Sequence, residues 1–128
     1  MPTPVSWHVE LAVKPGQLEP LRALTAEMIA AARIEPGTLS YERFASDDGQ
    51  VVHARESYAD SEAALAHLRV FTARFAARLA SLIDRRRFLV FGDPSAELRK
   101  VLDGFGATYF AAFGDGGYDG PSLFDPPR

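Results

Sequence analysis

The chemistry that this 128-residue chain can offer gathers around its histidines, since it has no cysteine to serve as nucleophile, redox centre or zinc–sulfur ligand. His67 stands in the run Ala64-Leu65-Ala66-His67-Leu68. An imidazole is the side chain whose ordinary pKa suits it to general acid–base work near neutral pH. Eleven and nine residues before it come Glu56 and Tyr58 of Arg55-Glu56-Ser57-Tyr58, two places apart and therefore on one face of a strand. Glu56 is a second candidate base if buried. Trp7 and Val9 alternate in the same way near the amino terminus, while Phe71 and Phe75 follow His67 at intervals of four, along one edge of a helix. Large aromatics on a strand are first of all core, but Trp7 and Tyr58 each carry a polar handle that wants a partner. By periodicity alone His67 lies on the flank of the Leu65–Leu68 stripe and reads as a partly exposed surface histidine.

His8 and His53 occupy the less apolar phases of their strands. With Glu10 and Arg55 they form a polar strip on the sheet face away from the helices. Imidazole and carboxylate suit several divalent ions, yet the spacing has no metal signature and Arg55 would oppose a cation. A hydrogen-bonded interface strip is the reading adopted, with no metal site expected.

The elements that must position these residues follow from hydrophobic period. Val5, Trp7, Val9, Leu11 and Val13 alternate as a strand, which Lys14-Pro15-Gly16 ends. Residues 17–34 carry Leu18, Leu21, Leu24, Met28, Ile29 and Ala32 at helical spacing, and Pro36-Gly37 stops them. Two strands, 38–45 and 50–58, flank the hairpin signal Asp48-Gly49. Asp60 is placed to cap a second helix running to about Ile83, and Phe88-Leu89-Val90-Phe91 is a short strand covered on both faces. Arg85-Arg86-Arg87 reads as its solvated lead-in. The order is βαββαβ, a ferredoxin-like α+β antiparallel sheet, over residues 1–92. A helix–strand extension is expected over 93–113, with Asp93-Pro94-Ser95 opening the helix and 107–113 as a fifth strand. Residues 114–128, dense in Gly, Pro and Asp, are expected to be loosely ordered.

Composition bounds the function. A net charge of −3 leaves no basic excess to neutralise phosphates, so neither nucleic acid nor an anionic membrane is expected as partner. No apolar run approaches the ~20 residues needed to span a bilayer, and no signal peptide is visible, so a cytoplasmic protein is expected. No dinucleotide, Walker, nucleophile-elbow or zinc-protease motif occurs. No cofactor is expected.

Taken in order, Val9-x-Leu11-x-Val13-Lys14-Pro15-Gly16-Gln17, then a helix, then Glu35-Pro36-Gly37-Thr38-Leu39-Ser40-Tyr41-Glu42, Arg55-Glu56-Ser57-Tyr58 and Asp60-Ser61-Glu62-Ala63-Ala64-Leu65-Ala66-His67-Leu68 resemble the antibiotic biosynthesis monooxygenase family. The likeness covers about residues 5–92, and its most specific parts are Pro36 to Tyr41 and Ala64 to Leu68. It implies two ferredoxin-like sheets packed face to face as a homodimeric α+β barrel, with the Trp7 and Val9 phase lining a pocket and the His8, Glu10, His53 and Arg55 phase facing the partner. It also implies cofactor-independent oxygenation of quinol-like or polyketide-like aromatics by dioxygen in some members and haem degradation in others. His67 coincides with the histidine of the quinol monooxygenase-like members. Haem-degrading members place an asparagine on the first strand, a tryptophan at the end of the third and a histidine late in the second helical segment; here stand Val9, Tyr58 and, approximately, Ala77. Members that form polyketide quinones also use an asparagine, and this chain has none.

Two functions compete on this reading. In the first, an aromatic hydroxyl is deprotonated in an apolar pocket by His67, with Glu56 as the second candidate base, Tyr58 and Trp7 orienting the ring, and Val9, Phe71 and Phe75 lining the site. The substrate's own electrons then reduce dioxygen. In the second, the same pocket binds or senses a small molecule without turnover, a reading that the missing asparagine favours. A purely structural dimer is the third reading.

Overall fold

Alternation in the first nine-residue strand organises the molecule. The computed structural model of the chain describes residues 3–118. In it, β1 (Val5–Val13) buries Val5, Trp7, Val9 and Leu11 and turns Ser6, His8, Glu10 and Ala12 to the other face. The helix α1 (Leu18–Arg33) follows, then β2 (Thr38–Ala45), β3 (Val51–Tyr58), α2 (Ser61–Arg74), α3 (Ala76–Leu82), β4 (Ile83–Gly92), α4 (Ala96–Asp103) and β5 (Thr108–Phe110). The five strands lie in the order β2-β3-β1-β4-β5. The first four pair antiparallel in the ferredoxin-like arrangement. Only the extension strand β5 runs parallel to its neighbour β4, which makes the sheet mixed.

Register fixes what faces what. Trp7 lies opposite Glu56, Val9 opposite Ala54 and His8 opposite Arg55 across the β1–β3 pair. Val52, Ala54, Glu56 and Tyr58 therefore share the covered face with Trp7, while Val51, His53, Arg55 and Ser57 share the open one. The β2–β3 hairpin turns at Ser46 to Gly49, where the serine N–H bonds to Val51 and Gly49 takes φ 71°.

Three departures from the sequence-based expectation have local causes. The second helical segment is two helices, because Phe75 leaves helical geometry (φ −125°, ψ −26°) and buries its ring with Leu24 and Met28 of α1. The fourth strand begins at Ile83 rather than near Phe88: Asp84 and Arg85 pair with Ala12 and Leu11, so ladder hydrogen bonds override the polar look of the arginines. The fifth strand is three residues long. Of the tail, residues 114–118 belong to no helix or strand, and residues 119–128 lie outside the described part.

The extension belongs to the same core. Asp60 caps α2 by accepting from the Ala63 N–H at 2.8 Å, and Ser95 caps α4 by accepting from Leu98 at 3.1 Å. Leu98 and Leu102 of α4 are fully buried in one cluster with Trp7, Leu65, Leu68 and Val90. Truncating Leu102 to alanine should therefore cost about 2–5 kcal/mol. Urea unfolding followed by circular dichroism should show a single transition at lower midpoint. Two separated transitions would mean that the extension folds apart from the sheet.

Candidate active site

The site is built where the turn after α1 meets α2. Pro36-Gly37 ends the helix, and Gly37 lies so close to Ala63 that a Cβ there would collide with the alanine's own Cβ. The Gly37 carbonyl accepts from the Ala59 N–H at 2.9 Å, locking this turn against the start of α2. That approach carries Glu35 to His67: its Oε1 lies 2.8 Å from Nδ1 and also accepts from the Thr38 hydroxyl at 2.8 Å.

On its other side, His67 Nε2 lies 3.3 Å from Oε1 of Glu56. The same oxygen accepts from the Tyr58 hydroxyl at 2.6 Å, and the other Glu56 oxygen accepts from Arg43 at 3.2 Å. Both ring nitrogens of His67 thus face carboxylate oxygens, which only accept. The arrangement fits an imidazolium. Two carboxylates, one imidazolium and one guanidinium give a cluster of no net charge, and among the described residues no buried polar side-chain atom lacks a partner.

The titration of each group follows from its neighbours. Burial presses His67 downward, but hydrogen bonds and charge from Glu56 and then Glu35 outweigh it and leave the imidazole above its ordinary 6.5. Burial presses Glu56 upward, yet Arg43, His67 and Tyr58 together hold it at about 2. Tyr58 is pushed far up by burial and by the Glu56 charge, as is Tyr41. Both phenols stay protonated.

An apolar cavity of about 60 Å³ adjoins the cluster. His67, Glu56 and Arg43 form its polar wall, with Trp7, Val9, Phe71 and Phe88 among its apolar ones. Tyr58 stands behind Glu56, its ring 4.7 Å from Trp7 and 5.1 Å from His67 between centroids. Phe71 stacks on His67 at 6.5 Å. Of the residues singled out from sequence, His67, Glu56, Trp7, Val9 and Phe71 therefore meet at the cavity and Tyr58 supports them. Phe75 does not join them, since the helix break turns it toward α1. His67 is 6% exposed, not the partly exposed surface residue that periodicity indicated.

Glu35, Tyr41 and Arg43 were not singled out from sequence. Tyr41 packs edge-on to His67 at 5.4 Å, and the Arg43 guanidinium sits 3.5 Å over the Tyr41 ring. The one available signal was the Glu35-Pro36-Gly37-Thr38 turn itself, whose Pro-Gly pair fixes a chain reversal beside the helix that carries His67. On the open face, His53 Nε2 lies 3.5 Å from Glu10. No cluster of three metal-ligating side chains occurs among the described residues.

The antibiotic biosynthesis monooxygenase family profile matches residues 4–70, just over half of the chain. The chain belongs to this family. Among solved structures, MupZ from Pseudomonas fluorescens is 25% identical with a TM-score of 0.82, over 98% of this chain and 95% of that one, so the likeness takes in the extension. Rv0793 from Mycobacterium tuberculosis is 26% identical with a TM-score of 0.63, over 72% of this chain and 96% of its own. SnoaB from Streptomyces nogalater, described as a cofactor-independent oxygenase, shares the fold at 17% identity and a TM-score of 0.62, over 73% of this chain and 95% of its own. No curated protein matches the sequence. No helix among the described residues is long and apolar enough to cross a membrane.

The cluster has a pH signature of definite sign. His67 is raised on folding, so its contribution to stability is complete below about 6.5 and is lost as pH rises through the folded value. Glu56 is lowered, so its contribution is complete above 4.5 and is lost as pH falls toward about 2. Replacing Glu35 by glutamine should lower the His67 pKa, read from the ring-proton shifts in an NMR titration. An unchanged value would show that Glu35 does not hold the imidazolium.

Proposed function

We propose that the chain is a cofactor-independent monooxygenase acting on a quinol-like or polyketide-like aromatic, with dioxygen as co-substrate. The observation that carries this reading is an imidazole held between two carboxylates on the wall of an apolar, aromatic-lined cavity. Family membership and the fold shared with an oxygenase support it.

The neutral form of His67 is the base. It takes the proton of the substrate's hydroxyl at Nε2, whose 3.3 Å contact to Glu56 is the longer of the ring's two. The imidazolium that forms is stabilised by Glu35 at Nδ1 and by the nearby Glu56 charge, which narrows the gap between imidazole and a phenol. Tyr58 and Arg43 hold Glu56 in place, and the imidazolium formed by the transfer balances the charge of the substrate anion. The apolar walls formed by Trp7, Val9 and Phe71 exclude water and hold the ring. The electron-rich anion then reduces dioxygen with its own electrons. For a ring methylene oxidised to a carbonyl, CH₂ and O₂ become C=O and H₂O, and the His67 proton returns to the departing water. Glu56, already holding three donors, serves as anchor rather than base.

One observation favours a binding function without turnover. Every donor and acceptor of the cluster is satisfied inside the protein, as a purely structural ion network also requires. Oxygen uptake with a panel of quinols and hydroxynaphthalenes separates the two. The expected rate rises with pH with a midpoint above 6.5, and falls ~10²-fold in His67→Gln, which keeps a buried polar side chain but has no base. Uptake that is equal in the variant, or that declines across the His67 titration, would end the catalytic assignment.

We further propose that the protein works as a homodimer through its open sheet face. That face carries Phe91 stacked on Phe110 at 5.5 Å, His8 edge-on to Phe91 at 5.3 Å, and a half-exposed Phe44. Apolar rings set among charged groups usually mark an interface. Light scattering at micromolar concentration should give about twice the chain mass, and Phe44→Glu with Phe110→Glu should give monomers. A wild-type monomer would overturn this.

A further inference from the structure

The cavity beside His67 is small for the substrate class proposed above. Its roughly 60 Å³ compares with the ~150 Å³ that accommodates one benzene ring in a protein core. An aromatic ligand therefore has to displace part of the lining. The polar wall is tied by ion pairs and the inner wall by strands. Leu68, Phe71 and Leu79 are carried by α2 and α3, whereas Phe105 alone among the apolar lining residues sits in a turn, after α4.

Phe105 is half-buried, as are Phe71 and Leu79, but those two also pack against the cluster of Leu24, Met28 and Phe75, while Trp7, Val9, Phe88 and Leu68 are buried. Its ring lies parallel to Phe88, 5.7 Å apart at 10°, the geometry in which a bound aromatic ring would also lie against Phe88. Arg85 sits over its outer side at 5.0 Å. The backbone beneath it is fixed: Phe105 and Ala107 N–H both bond to the Leu102 carbonyl at 2.9 and 3.3 Å, between Gly104 and a Gly106 with φ 74°. The loop is held by Tyr109, whose hydroxyl donates to Asp103 at 2.6 Å. A fixed backbone with a ring aimed at the cavity makes the side chain, not the loop, the adjustable part.

We infer that Phe105 is the residue that sets the size of ligand this cavity takes, its ring occupying the place that the outer ring of a fused aromatic would fill against Phe88. The inference rests on the proposed function only in treating the cavity as the ligand site. The core fold supplies the base and floor, and the C-terminal extension supplies a removable wall.

Binding of unreactive probes tests this without turnover. Phenol and 1-naphthol are titrated against wild type, Phe105→Ala and Phe105→Leu, with quenching of Trp7, the chain's only tryptophan, as readout. The expected result is a gain of at least about tenfold in 1-naphthol affinity for Phe105→Ala, a smaller gain for Phe105→Leu, and a change below about threefold for phenol. Phe105→Leu keeps an apolar group on Phe88 and decides the matter if the alanine variant does not fold. Unchanged 1-naphthol affinity in the folded variants, or an equal gain for phenol, overturns the assignment. If the affinities shift as expected while no quinol consumes oxygen, the oxygenase reading fails and the role of Phe105 stands.

Discussion

Placing a protonated imidazole between two carboxylates inside an apolar fold constrains much of what surrounds it. A lone buried charge is too costly to keep, so His67 demands Glu35 and Glu56, and the second carboxylate in turn demands Arg43 and Tyr58. The members come from four places in the chain: Glu35 from the turn after α1, Arg43 from β2, Glu56 and Tyr58 from β3, and His67 from α2. The site therefore ties the helical layer to the sheet. It also explains a glycine at position 37, where a side chain would push the turn off Ala63 and draw Glu35 away from the ring. Removing one member leaves the others buried with an unmatched charge, so such variants should lose stability as well as geometry.

The fold was legible because it is written in local periods. Alternation in β1 and β3 gave the buried faces directly, and Asp48-Gly49 and Asp60 marked a turn and a cap that exist where expected. What the periods could not show were tertiary overrides. Phe75 continues a helical stripe perfectly well on paper, but a pocket between α1 and α2 gains more from its ring than the helix loses by breaking there. Arg85 to Arg87 are solvated as expected, yet β1 offers Arg85 and Arg87 ladder partners, so the strand runs through them; backbone pairing is indifferent to side-chain charge. The parallel placement of β5 depends on α4 crossing over the sheet, a long-range fact with no short-range signature.

Only half of the site was legible, for a related reason. Residues two or four apart on one element can be placed on a common face, which is how Glu56 joined Tyr58 and Phe71 joined His67. Glu35 is 32 residues from His67, and Arg43 is 13 from Glu56. Their meeting is a product of the packed turn and the β2–β3 register, neither of which leaves a residue-spacing clue. The same limit misplaced His67 itself. A histidine on the flank of an apolar stripe is exposed by default, and becomes buried only when another element brings the carboxylates that make burial affordable.

These two kinds of constraint divide the cavity. Its polar wall is set by electrostatics that tolerate little change, because each charge there is balanced by a specific neighbour. Its outer wall is set by stacking of Phe105 on Phe88, which has no charge to balance and no hydrogen bond to lose. Sequence change at the outer wall alters shape at small cost in stability, while change at the polar wall alters charge at a large one. Variation on that apolar side changes the shape of the cavity and leaves the charge balance of the cluster intact. In this chain the apolar side is closed by an element added after the family-matched segment. Under the proposed function, substrate selection can shift through the extension without disturbing the two carboxylates that hold His67.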